Sequence, residues 1–143
     1  MLTIIYDDLS RLQTIEWYGQ SLCIFDDQVN EKNQKPIQEM FIRGRKMAGG
    51  VSLIYLTQSY FTVPKIIRIQ TNYIFVLKMN GLKDIKLMLS EFALGVTQEQ
   101  LKDMYAYCCK TGELENFFLI DLESNDEKRF RKNFTQYILS EKV

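Results

Sequence analysis

The sequence contains no histidine, which excludes catalysis by an imidazole base and zinc sites with histidine ligands. Its three cysteines, Cys23, Cys108 and Cys109, have neither the number nor the spacing of a disulfide framework or a zinc site. This pattern predicts a reducing, intracellular compartment. Basic and acidic residues number 18 each, so the formal net charge is zero. Proteins that coat nucleic acid non-specifically carry a basic excess, so any contact with DNA must be local or shared between subunits.

Long apolar runs are also missing. No stretch approaches the roughly 18 residues of a membrane-spanning helix, and no secretory apolar segment follows Met1. We therefore expect no membrane partner. With 46% hydrophobic and 25% charged residues, the composition is that of a globular protein. A length of 143 residues predicts one domain, spanning residues 1–143, with a core of its own.

The segment 21–27, Ser-Leu-Cys-Ile-Phe-Asp-Asp, is a short apolar run that ends in two carboxylates. Unbroken apolar runs are typical of buried parallel strands, and α/β proteins bind ligands where such strands end. Asp26 and Asp27 could hold a hydrated Mg²⁺ there and orient a water molecule, as nucleotide hydrolysis requires. The same pattern also fits a strand followed by a solvated acidic turn.

The other apolar patterns predict alternating helices and strands. Helices are expected over residues 2–15, from Pro36 to about 44–46, over 65–69, over 82–92, from Thr97 onward, and around a face formed by Phe130, Phe134, Tyr137 and Ile138. Buried strands are expected at 51–57, 73–77 and 117–122. This alternation predicts an α/β fold with a mostly parallel sheet.

Two further polar residues fall beside the predicted strands. Gln58 follows the strand at 51–57, and Arg68 precedes the strand at 73–77. In nucleotide hydrolysis a glutamine can position the attacking water, and an arginine can stabilise developing negative charge. Gln58 also fits a strand-end cap and Arg68 a solvated helix terminus, so the argument depends on the order and spacing of the whole set.

That order resembles the FtsK/HerA superfamily of DNA-pumping ATPases. The resemblance runs through Cys23-Ile-Phe-Asp-Asp27, Arg43-Gly-Arg45, the stretch from Gly49 to Gln58, and the stretch from Ile66 through Arg68 to Asn72. Within the superfamily the chain is most similar to the genome-packaging ATPases of poxviruses, giant viruses, virophages and related viral elements. The resemblance implies a partial RecA-like P-loop NTPase core and a viral motor that couples ATP hydrolysis to the translocation of double-stranded DNA.

The resemblance also implies roles for the residues at the strand ends. Asp26 would ligate Mg²⁺ through water, and Asp27 would be the base or would orient the attacking water. Gln58 would link the nucleotide state to movement. The implied cofactors are Mg²⁺ and ATP.

For the arginines, the resemblance implies a finger that acts on ATP bound by a neighbouring subunit. Arg45 is the first candidate, with Arg43 or Arg68 as alternatives. The implied partners are double-stranded DNA and further copies of the ATPase in a ring. The implied location is the host cytoplasm, a viral factory or the virion.

The phosphate-binding loop of this superfamily, Gly-x-x-x-x-Gly-Lys-Ser/Thr, does not occur in the sequence. In the superfamily its strand precedes the carboxylate strand in the chain, and the resemblance places it between the strands at 51–57 and 73–77. The chain is therefore expected to be the C-terminal portion of such a core, lacking the P-loop strand, with a separate P-loop-bearing segment as a partner. Two alternatives stay open: a catalytically inactive remnant or interaction protein, and a cellular translocase of the same superfamily.

Overall fold

The computed structural model describes residues 9, 12, 14–17, 19–47, 49–79, 83–92, 94–109 and 115–139. The chain divides into two compact units, Met1–Gln70 (unit 1) and Thr71–Val143 (unit 2). The described helices and strands are, in chain order, β1 (Ser21–Asp26), α1 (Lys35–Arg43), β2 (Val51–Leu56), α2 (Lys65–Ile69), β3 (Tyr73–Val76), α3 (Lys83–Glu91), α4 (Gln98–Cys109), β4 (Phe118–Asp121), α5 (Asp126–Arg129), β5 (Phe130–Lys132) and β6 (Gln136–Tyr137). The expectation of a single domain stays a prediction.

The prediction of an α/β chain is confirmed in its coarser part, because both units contain helices and strands. The expectation of a mostly parallel sheet holds only for β1 and β2 among the described strands. The pairings β3–β4, β4–β5 and β5–β6 are all antiparallel. The links within β4–β5–β6 are too short for the crossover that a parallel pair requires, which leaves only antiparallel pairing there.

Unit 1 contains the parallel pair β1–β2. The register runs from Ser21 opposite Val51 to Asp26 opposite Leu56. The helix α1 connects the two strands and supplies the crossover. The carboxyl ends of both strands therefore lie at the same end of unit 1.

The core of unit 1 consists of side chains from β1, β2, α1 and α2 and the segments beside them. Its buried members are Leu12, Cys23, Phe25, Ile37, Met40, Val51, Val63 and Ile67. Pro36 lies in the first turn of α1, as predicted, because it has no N–H to satisfy. Gly44 directly follows α1, and a Cβ added there would come within 3.2 Å of Leu53 Cδ1. The absence of a side chain at Gly44 thus lets the end of α1 approach β2 closely.

The opposite face of the β1–β2 pair is not covered by described residues. Ile24, Ile54 and Leu56 lie on it and are 41–46% exposed. The prediction that these strands are buried on both faces is therefore wrong for the described part of the chain. The helices that pack against them cover only the face that carries Cys23 and Phe25.

Unit 2 contains the antiparallel sheet β3–β4–β5–β6, with α4 packed on β4 and α3 packed on α4. On this inner side Phe118 and Phe130 stack, with ring centroids 5.9 Å apart and planes at 16°. The predicted cap of α4 is confirmed. The Thr97 N–H donates to Gln100 Oε1 at 2.9 Å, and the Gln100 N–H donates to Thr97 Oγ1 at 3.2 Å.

The strand β3 was expected to be fully buried, and it is buried on one face only. Ile74 and Val76 are buried, whereas Tyr73 and Phe75 are half exposed. An antiparallel sheet can leave one face to solvent, which a parallel sheet enclosed by crossover helices cannot. The antiparallel pairing with β4 thus explains the difference.

The predicted C-terminal helix is wrong. Residues 130–137 form the hairpin β5–β6, whose turn contains Asn133 with a φ of 57°. The Asn133 side chain accepts a hydrogen bond from the Phe117 N–H at 3.1 Å and donates one to Asn116 Oδ1 at 2.8 Å. The Ile138 N–H also donates to the Phe130 carbonyl at 2.9 Å. These contacts fix the turn against the start of β4 and override the local helical pattern.

The helix expected over residues 2–15 falls largely outside the described residues, although Leu12 is buried in the core of unit 1. None of the helices described above is long and apolar enough to cross a membrane.

Candidate functional site

The two predicted carboxylates lie where β1 ends. Asp26 is the last residue of the strand, and by alternation its side chain lies on the uncovered face with Ile24. Asp27 follows with φ 48° and ψ 36°, a left-handed conformation that few residues other than glycine adopt. Its N–H donates to the Leu56 carbonyl at 3.1 Å, which holds the turn against β2. Both carboxylates are exposed, and neither forms a hydrogen bond or an ion pair with another described residue.

Gln58 lies at the same end of the strand pair, two residues beyond β2, and is exposed. Hydroxyl groups hold the loop that contains it. Thr57 Oγ1 donates to the Ser59 carbonyl at 3.1 Å, and Thr62 Oγ1 donates to the same carbonyl at 2.8 Å. The structure therefore places the carboxylate pair and Gln58 at the same end of the β1–β2 pair.

Arg68, in the last turn of α2, is bonded to the same loop. Its Nη1 donates to the Val63 carbonyl at 2.7 Å and to the Phe61 carbonyl at 3.3 Å. Its guanidinium also lies 5.6 Å from the centre of the Tyr60 ring, within the range of a cation–π contact. These contacts give Arg68 a structural role in holding the loop that follows Gln58.

Arg43 and Arg45 lie at the opposite end of β2. Arg43 ends α1, and Arg45 lies in the short 3-10 turn that leads to β2. Both are exposed. An open cleft of about 560 Å³ is lined by Arg45 together with Gln20, Gly49, Gly50, Val51 and Ser52. At about 3.3 Å per residue, the length of β2 puts roughly 15–20 Å between this cleft and the carboxylates. The structure therefore does not bring these arginines together with the carboxylates of the same chain.

Sequence reasoning missed two residues near Asp27, namely Gln34 and Tyr55. The Tyr55 hydroxyl donates to Gln34 Oε1 at 3.5 Å, and Gln34 Nε2 donates to the Gln28 carbonyl. Burial raises the pKa of Tyr55; the contact with Gln34 opposes this rise, and the negative charge of Asp27 adds to it. These residues link the loop after Asp27 to β2. Nothing in their sequence spacing indicates this, because the contact joins residues 21 positions apart.

The chemistry open to this strand end follows from its donor set. Mg²⁺ in nucleotide sites usually binds one or two carboxylates together with water and phosphate oxygens. Within the described ranges, no three or more histidine, cysteine, aspartate or glutamate side chains gather as a metal site. Two neighbouring exposed carboxylates, Asp26 and Asp27, are the kind of donors that such a magnesium ion uses.

We compared the chain with known protein families, with curated proteins and with solved structures. None of the three comparisons found a match.

Proposed function

We propose that this chain is part of the motor ATPase of a viral DNA-packaging machine of the FtsK/HerA type, which couples ATP hydrolysis to the translocation of double-stranded DNA. In this proposal unit 1 is the carboxylate and sensor half of a RecA-like core. The observation that carries the proposal is the direct parallel pairing of β1 with β2, which gathers Asp26, Asp27 and Gln58 at one strand end. Ligands of α/β proteins bind at such ends.

Each residue of this strand end has a role that fits its position. Asp26 would hold Mg²⁺ through water, together with phosphate oxygens. Asp27 leaves the strand with a left-handed backbone, and its carboxylate would orient the attacking water or accept its proton. Gln58 would detect the phosphate, and the Arg68 contacts would transmit its position to α2. Tyr55 would hold the Asp27 loop in place through Gln34.

Arg45 would act on the nucleotide of a neighbouring copy in a ring. Its separation from the carboxylates of its own chain, roughly the length of β2, supports a role across a subunit boundary. Arg43 shares this position and remains the alternative. Arg68 is the weakest candidate, because its guanidinium already binds two loop carbonyls.

The phosphates themselves would be held by a separate P-loop-bearing segment. Among the described strands β2 pairs only with β1, so its second edge is open to a further strand. Ile24, Ile54 and Leu56 are uncovered on the neighbouring face and would be buried by the same segment. Each backbone hydrogen bond formed at this edge contributes about 0.5–1.5 kcal/mol, so several of them together would stabilise unit 1 substantially. We therefore also expect the chain to be more soluble when this segment is co-expressed.

A catalytically inactive interaction protein is the second candidate, favoured by the lack of a P-loop motif in the sequence. The test is magnesium-dependent ATP hydrolysis by the chain, with and without a P-loop-bearing segment encoded in the same genome. We expect no hydrolysis by the chain alone and DNA-stimulated hydrolysis by the complex. A stable complex that binds ATP without hydrolysing it would favour the inactive protein, and failure to form any complex would contradict the motor proposal.

A further inference from the structure

The outer face of the sheet in unit 2 carries large apolar side chains that described residues leave uncovered. Five of them, each 48–64% exposed, define what we call the open face: Tyr73, Phe75, Leu77, Phe134 and Tyr137. Tyr73 and Phe75 alternate with the buried Ile74 and Val76 along β3, and Leu77 continues the alternation. The open face is therefore a property of the sheet and not a scatter of single exposed residues.

The side chains of the open face are held by contacts with one another. Phe134 lies 6.0 Å from Phe75 and 5.0 Å from Phe117, measured between ring centroids, and both pairs are T-shaped. Leu119, on the central strand β4, is buried although it faces outward with Phe75. Because these rings support each other, little conformational entropy is lost when a partner packs on them.

The inner face of the same sheet is already occupied. α4 packs on β4, and Gln136 Nε2 donates to the Tyr107 hydroxyl at 2.9 Å. The Cys109 thiol also donates to the Val76 carbonyl at 3.5 Å. A second layer can therefore be added to this sheet only on the open face.

The size of the open face suits a specific protein contact. Buried aromatic side chains remove roughly 150–250 Å² each from water, so five half-exposed residues offer about 500 Å². Two such faces packed together would bury about 1,000 Å² before any rim contact, which is the lower bound for a specific interface. Patches of this size on a monomer usually mark an interaction site.

The charge of the open face favours a second copy of the chain over nucleic acid. Among the described strand residues, the charged side chains on this face are Arg131 and Asp121. Arg131 lies 5.1 Å from the Tyr137 ring centre and forms an ion pair with Asp121 at 2.5 Å. Two copies would therefore meet without like-charge repulsion, and the whole chain has a formal net charge of zero. Surfaces that bind unpaired bases combine aromatic rings with a positively charged groove, whereas here the Asp121 carboxylate compensates the charge of Arg131.

We propose that the open face is an isologous interface through which two copies of this chain dimerise. The two sheets pack face to face, about 10 Å apart, with α4 of each copy on the outside. The interface includes no residue of the candidate ATPase site and does not depend on the proposed function. It also differs from a ring contact, which joins different surfaces of neighbouring subunits head to tail.

The test is the molar mass of the full chain by sedimentation, measured over a concentration series up to about 100 µM. The expected result is a reversible dimer of twice the 16.9 kDa chain mass. Phe134 lies in the turn between β5 and β6, and Leu77 lies beyond the end of β3. The substitutions Phe134→Glu and Leu77→Glu should each weaken dimerisation at least about tenfold. Phe61→Glu is the matched control, because Phe61 is 67% exposed but lies in unit 1. It should leave the dimer unchanged, and far-UV circular dichroism would verify that each variant is folded.

Four outcomes would overturn the proposal. The first is a folded wild-type monomer at the highest concentration. The second is a dimer that both folded face variants preserve, or that Phe61→Glu weakens equally. The third is a dimer that dissociates when the P-loop-bearing segment is added but persists in both face variants. That result would place the contact between copies at β2. The fourth is binding of oligo-dT that Phe134→Glu abolishes, which would make the open face a nucleic-acid surface. If circular dichroism shows that one face variant is unfolded, the dimerisation of the other face variant is the test.

Discussion

The carboxylates at the strand end of unit 1 differ from the one buried carboxylate described in the sheet of unit 2. In unit 1, Asp26 and Asp27 are exposed at a strand end and bond to no other described side chain. In unit 2, Asp121 is buried and accepts hydrogen bonds from the Glu123 and Ser124 N–H groups, from Ser124 Oγ and from Arg131. A carboxylate whose acceptor sites are filled by its own fold stabilises that fold, whereas an exposed one remains available to a ligand. Asp121 thus has a structural role in unit 2, whereas Asp26 and Asp27 have no described side-chain partner in unit 1.

The sheets differ in the same direction. In unit 2, short connections join β4, β5 and β6, and β4 is paired on both sides. In unit 1, the described residues supply β2 with one neighbour, β1. Parallel strands normally occur in sheets covered by helices on both faces, whereas an antiparallel sheet can leave one face to solvent. The four predictions that follow test this contrast, from the largest expected effect to the smallest.

The largest expected effect is that of Arg45→Ala, which should reduce the rate of ATP hydrolysis and not nucleotide binding. In the assembled ATPase we expect a loss of at least about 10³-fold in turnover with nucleotide affinity nearly unchanged, because a finger stabilises only the transition state. Mixing Arg45→Ala with Asp27→Asn subunits should restore part of the activity, since one type of interface then contains both groups. Arg43→Ala is the control. If the mixed subunits form an intact ring but regain no activity, another arginine must be the finger.

Asp121→Ala should destabilise unit 2 by about 3–5 kcal/mol, because it leaves Arg131 without its partner in a largely buried position. The measurement is urea unfolding of the full chain. Asp126→Ala is the matched control: its carboxylate pairs with Arg129 at 2.9 Å but is 80% exposed, so the loss should stay below about 1 kcal/mol. Equal losses for the two variants would contradict the claim that the buried, paired carboxylate of Asp121 stabilises unit 2 more than an exposed one does.

Asp27→Asn should reduce activity without reducing stability, in contrast to Asp121→Ala. We expect at least about a 10²-fold decrease in the turnover of the assembled ATPase, with Mg·ATP binding preserved and an unchanged melting temperature. Asp26→Asn should instead weaken the magnesium-dependent part of nucleotide binding. Unchanged ATPase activity in both variants would leave the strand end without a catalytic role.

Alkaline pH should weaken both units through their buried thiols. Burial raises the pKa of Cys23 in unit 1 from 9.0 to about 11, and that of Cys108 in unit 2 from 9.0 to about 12. Below pH 9 the thiols are neutral in both the folded and the unfolded chain. As the pH rises above 9, only the unfolded thiols ionise, so each cysteine lowers the stability by about 1.4 kcal/mol per pH unit. Urea unfolding between pH 7 and 10 measures this slope. Cys23→Ala and Cys108→Ala should each flatten it, and an unchanged slope in both would contradict the assignment.

Much of the local structure was predictable because short-range chemistry determines it. Pro36 at the start of α1 and the capping box of Thr97 with Gln100 depend on neighbours within one turn. The common position of Asp26 and Gln58 was predictable for a related reason, since both follow apolar runs that form parallel strands.

What could not be predicted depends on contacts between distant residues. Phe130, Phe134 and Tyr137 have helical spacing, but the bonds of Asn133 to the start of β4 select a hairpin. The link between Tyr55 and Gln34 was invisible for the same reason. The uncovered face of the β1–β2 pair was missed because an apolar run shows which side chains a strand can bury, and not whether a covering layer is present.

Amide hydrogen exchange along β2 tests most directly the central claim, that another segment completes unit 1. The Leu56 carbonyl accepts from Asp27, so in a parallel ladder Leu56 and Ile54 face β1, while Leu53 and Tyr55 face the open edge. We predict fast exchange of the Leu53 and Tyr55 amides in the chain alone, and strong protection of both once a P-loop-bearing segment is bound. The Ile54 and Leu56 amides should be protected in both states. Protection of Leu53 and Tyr55 in the chain alone, or their continued exchange in the complex, would contradict the claim.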